Sequence, residues 1–114
     1  MLQIDQNTLK AMDTYIQQHI SDPLLSVSKL ASAFFMSEST LLRRIKYLTG
    51  KTPHQYLKEL RLQKARRLLR LGVYATVAEV AQEVGFSNAR SFTRSYKQRF
   101  GAPPSETQVT KKKK

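Results

Sequence analysis

The chain contains no cysteine, only four glycines, and 8 acidic residues among 114. Without thiols there can be no disulfide and no thiolate metal site, a composition compatible with a reducing compartment. Gly50, Gly72, Gly85 and Gly101 fall singly at helix ends or turns, so no glycine-rich loop is available to cradle a phosphate. No apolar run approaches the length needed to cross a bilayer, and Met1 is not followed by a basic and then apolar signal segment. The expectation is a soluble protein of the cytoplasm. Histidine is equally scarce. His19 and His54 are the two present, and neither has a second ligand four residues on. The carboxylates Asp5, Asp13, Asp22, Glu38, Glu59, Glu79, Glu83 and Glu106 are scattered, leaving no acid/base pair and no activated nucleophile. The sequence therefore predicts neither an enzyme nor a metal or cofactor site.

Basic residues are what the chain does have. Lys and Arg number 20, the formal charge is +12 and the pI is about 10.3. The run of lysines at 111–114 supplies only four of those charges, so the excess belongs to the body. It is also uneven. Residues 1–37 hold Lys10 and Lys29 against three aspartates, whereas residues 38–74 hold ten basic side chains against Glu38 and Glu59. Such self-repulsion disfavours compactness unless a polyanion is the working partner.

Apolar residues recur at helical spacing and no stretch alternates as a strand would, which predicts an all-α fold of about seven helices. Leu9, Met12, Ile16 and Ile20 step along a first helix that stops before Pro23. Val27, Leu30, Ala31 and Phe34 mark a short second one. Ser37 caps a third, in which Leu41, Ile45 and Leu48 face inward and Gly50 ends the run. Thr52, Pro53 and Gln55 supply a cap, a first-turn proline and a capping-box partner for a long helix that closes at Gly72. Thr76 and Glu79 open the next as a second capping box. A sixth begins near Asn88, buries Phe92, Tyr96 and Phe100, and stops at Gly101; Pro103 and Pro104 start a last short one. From residue 108 the chain is expected to be a disordered basic tail.

An internal repeat organises these helices. Val27, Leu30, Ala31, Phe34, Met36 and Ser37 recur 50 residues later as Val77, Val80, Ala81, Val84, Phe86 and Ser87. At an offset of 51, Leu41, Arg43, Ile45, Lys46 and Gly50 correspond to Phe92, Arg94, Tyr96, Lys97 and Gly101. Each unit is a short helix, a tight turn and a longer helix. The small Ala31 and Ala81 allow the close crossing that a helix-turn-helix requires. The units span about 27–50 and 76–101, and the helix of about 53–71 joins them. That helix has 19 residues and so measures about 28 Å. The figure is close to the roughly 34 Å between successive major-groove faces on one side of B-DNA.

The outer faces suit a groove. In the third helix, Ser39, Arg43 and Lys46 lie opposite the inward residues, with Leu42 beside them; in the sixth, Ala89, Arg90, Thr93, Arg94 and Lys97 do. An α-helix fits the major groove, and Arg can donate two hydrogen bonds to guanine O6 and N7. Lys46 and Lys97 suit phosphate better. A merely solvated basic face is the alternative, and its repetition at equivalent positions weighs against it. An RNA or single-strand binder is a second alternative. Such proteins display stacking aromatics, but Phe34, Phe92, Tyr96 and Phe100 fall at inward positions. A helical protein-interaction module is the third.

Three stretches carry a family resemblance: Thr52-Pro53-His54-Gln55-Tyr56-Leu57; Leu60-Arg61-Leu62-Gln63-Lys64-Ala65 running to Leu68-Leu69; and Val80-Ala81 through Val84-Gly85-Phe86-Ser87 to Phe100-Gly101, with Pro104-Ser105. They resemble the DNA-binding domain of the AraC/XylS family of bacterial transcription regulators, over about residues 8–107, which leaves 1–7 as a flank. The resemblance implies two homeodomain-like lobes whose third and sixth helices enter adjacent major-groove segments of double-stranded DNA. Carried over by position, the base-facing residues are Ser39, Leu42, Arg43, Ala89, Arg90, Ser91, Thr93 and Arg94, and the phosphate contacts are Lys46 and Lys97. Leu42 stands where a polar reader is frequent, and Thr107 stands where a tyrosine usually follows the closing Pro-Ser. The resemblance also implies RNA polymerase as a partner and residence at the nucleoid; since residues 1–7 are too few to be a sensing or dimerisation region, it implies either a small stand-alone regulator or the C-terminal piece of a longer parent chain that carries such a region elsewhere.

Overall fold

The computed structural model describes residues 5–109, and among them it contains seven α-helices and no strand. They are α1 (Asp5–His19), α2 (Val27–Ala33), α3 (Glu38–Thr49), α4 (Pro53–Leu71), α5 (Val77–Glu83), α6 (Ala89–Phe100) and α7 (Pro104–Thr107). The chain divides into two compact units. The first takes residues up to Ile20 and Leu24–Glu59; the second takes Ser21–Pro23 and residues from Leu60 onward. The long helix α4 thus contributes residues 53–59 to one and 60–71 to the other.

Local chemistry starts α3, α4 and α6 where the sequence predicts. Ser37 accepts from the Thr40 amide at 3.1 Å and so satisfies one of the amides that the first turn of α3 leaves without a partner. At α4 the capping box is reciprocal: Gln55 N donates to Thr52 Oγ1 at 3.1 Å, and Thr52 N donates to Gln55 Oε1 at 3.0 Å. Asn88 caps α6 by accepting from Ser91 N at 2.7 Å.

In the first unit, Met12 and Ile16 of α1 are buried with Leu30 and Ala31 of α2, Leu41 and Ile45 of α3, and Tyr56 and Leu57 of α4. Each large side chain removed from water in this way contributes roughly 1.5–3 kcal/mol. The Tyr15 ring meets Phe34 edge-on, with centroids 5.9 Å apart. The buried Tyr56 hydroxyl donates to the Asp13 carboxylate, which pins the start of α4 to α1. Burial, reinforced by that carboxylate, raises the Tyr56 pKa.

The second unit buries Leu62, Ala65 and Leu69 of α4 against Val80, Ala81 and Val84 of the α5 segment and Phe92 and Tyr96 of α6. Its interior is aromatic. Phe86 meets Phe92 at 5.2 Å, Phe92 meets Tyr96 at 5.7 Å and Tyr96 meets Phe100 at 4.7 Å between ring centroids. The Tyr96 hydroxyl donates to Thr107 Oγ1 at 2.8 Å, so threonine at the position outside the family pattern still ties α7 to α6.

The expected disordered tail requires one correction. Gln108 Nε2 donates to the Ala75 carbonyl at 3.0 Å and Val109 N donates to the Leu69 carbonyl at 3.0 Å, so these two residues belong to the ordered unit. The rest of the expected tail, 110–114, lies outside the described residues. This return of the chain explains Gly72. It sits at φ +66, and a Cβ there would meet the Val109 carbonyl oxygen at 2.6 Å. Only glycine tolerates both conditions.

Candidate nucleic-acid interface

Two helix faces carry the residues singled out above. In α3, Leu41 and Ile45 are fully buried, and at 100° per residue the opposite side falls on Ser39, Arg43 and Lys46. All three are exposed, and Leu42 is 45% exposed at the edge of the same face. Four of the expected contact residues therefore share one surface of the first unit. The face includes two groups the sequence reading passed over. Arg44 is exposed on the flank, and Tyr47 is 86% exposed one turn beyond Arg43. Tyr47 lies between the inward Ile45 and Leu48 without being in register with either, and that misfit was the available signal.

In α6, Phe92 and Tyr96 are fully buried, and Arg90, Arg94 and Lys97 are exposed on the far side. Ala89, Ser91 and Thr93 differ from these in being half-buried. Ala89 helps to wall a shallow hollow of about 210 Å³ with Ala78, Gln82 and Phe86, at the foot of α5. The strongest donors on this face are thus Arg90 and Arg94, with Ser91 and Thr93 set back from them. No acidic residue lies anywhere in α6, and Glu38 in the first turn is the only one in α3. Both faces therefore present cationic donors without competing carboxylates of their own helix.

Basic residues of α4 behave differently from one another. Lys58, Arg67 and Arg70 are exposed, and the Arg66 guanidinium lies over the Phe100 ring at 4.3 Å. Arg61 is buried at 7% exposure. Its position was readable as a steric clue: Leu57, Arg61, Ala65 and Leu69 step by four along one line of the helix, and the other three are all buried.

Among the described residues, no group of three or more His, Asp or Glu is placed to hold a metal ion. No described helix is long and apolar enough to cross a membrane.

The duplicated helix-turn-helix, each copy with a basic outer face, defines a class that comparison with known proteins names. A family model described as a helix-turn-helix domain matches residues 30–109, and the chain belongs to the AraC family of such domains. The HTH-type transcriptional activator RhaS of Escherichia coli is 35% identical over 96 residues, which cover 84% of this chain and 34% of RhaS. A solved structure of a probable AraC family transcriptional regulator from Rhodopseudomonas palustris is 32% identical, with a TM-score of 0.72, and the match covers 89% of this chain and 94% of that one. The DNA-binding domain of the global transcriptional factor AdpA, solved in complex with a target DNA, is 31% identical with a TM-score of 0.78, over 86% of each chain. The chain spans under half the length of the curated relatives it matches.

Proposed function

We propose that this domain binds double-stranded DNA in a sequence-specific way, α3 and α6 reading adjacent major-groove segments, and that it serves as the output part of a longer bacterial transcription regulator. The observation that carries the reading is the repeat itself. Arg43 and Arg94 occupy equivalent places on the outer faces of two equivalent helices, each with a lysine three residues further on. Similarity to the AdpA domain solved with its target DNA supports the same reading. Base contacts are assigned to Ser39, Leu42, Arg43, Ala89, Arg90, Ser91, Thr93 and Arg94. Of these, Arg43, Arg90 and Arg94 combine exposure with bidentate donor geometry. Lys46 and Lys97 are assigned to phosphates.

The work of the domain is binding, not catalysis, and it needs no cofactor. Its place is the cytoplasm, at the nucleoid. RNA polymerase is the further partner, and a sensing or dimerisation region of the parent protein supplies the signal.

A titration of duplex DNA, single-stranded DNA and RNA at matched salt tests the class of partner. Selection of bound duplexes from a random pool then defines the preferred site. Arg43→Ala and Arg94→Ala are each expected to lose roughly 1–3 kcal/mol of specific affinity and to relax preference at separate base pairs. If both variants still discriminated fully between the selected and random duplexes, α3 and α6 would not be the reading helices.

A further inference from the structure

We infer that Arg61, a buried residue of α4, is a positioning residue for the second reading helix; the inference rests on the DNA-reading function proposed above. Its guanidinium Nη1 donates to the Val84 carbonyl at 2.8 Å, and Nη2 donates to the Asp22 carbonyl at 3.3 Å. All three residues belong to the second unit. Val84 is the C-cap of α5, where the carbonyls of the last turn lack helical partners and carry the negative end of the helix dipole. A guanidinium there satisfies an orphan acceptor and answers its partial charge.

The location gives the bond its leverage. Val84 opens the turn that delivers the chain to α6: Gly85 follows at φ 86, Phe86 N returns to the Ala81 carbonyl at 3.0 Å, and Asn88 caps α6. The direction of α6 is thus set within four residues of the carbonyl that Arg61 holds. Arg61 also clasps the backbone of Asp22, in the segment between α1 and α2, so one side chain fixes that segment and the α5 turn to α4 together. Burial lowers the Arg61 pKa while the charge of Asp22 acts in the opposite sense. Arginine stays protonated throughout, so its donors are always present. A lysine in its place offers a point charge without the planar fork that reaches two carbonyls at once.

Readers on a recognition helix tolerate displacements of about 0.5 Å before their hydrogen bonds to base edges degrade. Losing the Arg61 bonds should therefore show as lost discrimination in the half of the site that α6 reads. The test compares Arg61→Met, which keeps an apolar stem and removes every donor, with Arg61→Lys. Each is melted by circular dichroism, and base preference is measured well below its melting point on duplexes selected with the parent protein and on their single-base variants. The expected result for Arg61→Met is a loss of about tenfold or more in discrimination at the base pairs that Arg94→Ala also relaxes. Those relaxed by Arg43→Ala should keep their preference, and Arg61→Lys should recover part of the loss. Equal loss in both halves, or full preference with only a lower melting point, overturns the inference and leaves Arg61 a stabilising residue. Should Arg61→Met fail to fold, Arg61→Lys decides on the same two criteria. A parent protein with no preferred duplex would instead refute the DNA-reading function itself, which is a separate outcome.

Discussion

The two helix-turn-helix units close the same turn with different residues. In α5–α6, Phe86 N donates to the Ala81 carbonyl and Gly85 N to the Gln82 carbonyl; in α2–α3, Met36 N donates to the Ala31 carbonyl and Phe35 N to the Ser32 carbonyl. These are the paired bonds of a Schellman motif, which place the intervening residue in the left-handed region. Gly85 adopts φ 86 there at little steric cost, whereas Phe35 adopts φ 57 with its side chain 97% exposed. The backbone pattern is common to both units and the residue filling it is not. The interiors diverge as well. The first unit packs Leu41 and Ile45 where the second packs Phe92 and Tyr96, which continue into Phe86 and Phe100. One geometry is thus reached by two sets of contacts, and the second set is the richer.

That contrast can be broken most severely in the core. Phe92→Ala removes a fully buried ring together with its contacts to Phe86 and Tyr96, and is expected to cost about 3–5 kcal/mol in urea unfolding followed by circular dichroism. Leu41→Ala, at the equivalent position of the first unit, should cost nearer 2–3 kcal/mol because no ring pairs are lost with it, roughly the lower part of the range for such truncations. Equal losses would show that the aromatic chain adds nothing beyond its volume.

The chain return at Gly72 belongs to the second unit and supplies a sharper test. Gly72→Ala places a methyl group against the Val109 carbonyl and strains a positive φ, for an expected loss of about 2 kcal/mol or more. Amide hydrogen exchange at Val109 should accelerate strongly in that variant. Unchanged protection there would mean that residues 108–109 contribute no stability.

Exchanging the turn residues asks whether the two turns are energetically equivalent. Gly85→Ala should cost about 1–2 kcal/mol or more, since it strains a left-handed φ at a buried position. Phe35→Gly should run the other way, stabilising the protein by roughly 1 kcal/mol, since it relieves strain and sacrifices almost no buried surface. A loss of stability on Phe35→Gly would show that the exposed ring makes contacts that its exposure conceals.

Caps should give the smallest difference. Thr76 and Glu79 form a reciprocal box at α5, but Ser26 at α2 makes a single bond to Lys29 N at 3.2 Å. Thr76→Ala is expected to cost about 1 kcal/mol and Ser26→Ala about half of that, each read from its midpoint in urea.

Much of the candidate site was open to sequence reasoning, and particular residues show why. Ser37, Thr52, Thr76 and Asn88 start helices through bonds to amides three positions away, so composition over one turn was enough to place them. The outward direction of Arg43 and Arg94 followed from the buried partners at fixed helical spacing. Ala89 and Thr93 were harder, because their half-burial depends on α5 and the turn beside them and not on α6 alone. The order of residues 108–109 is not legible locally, because the carbonyls they bond, Ala75 and Leu69, lie more than thirty positions away in sequence.

Sequence by itself determined the all-α class, the seven helices, the duplicated unit and the two basic faces, since periodicity, capping and charge are local properties of the chain. Tertiary structure alone decided which acceptors Arg61 meets, the carbonyls of Val84 and Asp22. It alone decided that Phe35 bears a left-handed backbone and that Thr107 finds the Tyr96 hydroxyl. The physical reason is the same in each case: burial and hydrogen-bond satisfaction depend on what another segment brings alongside, and no window of neighbouring residues contains that information.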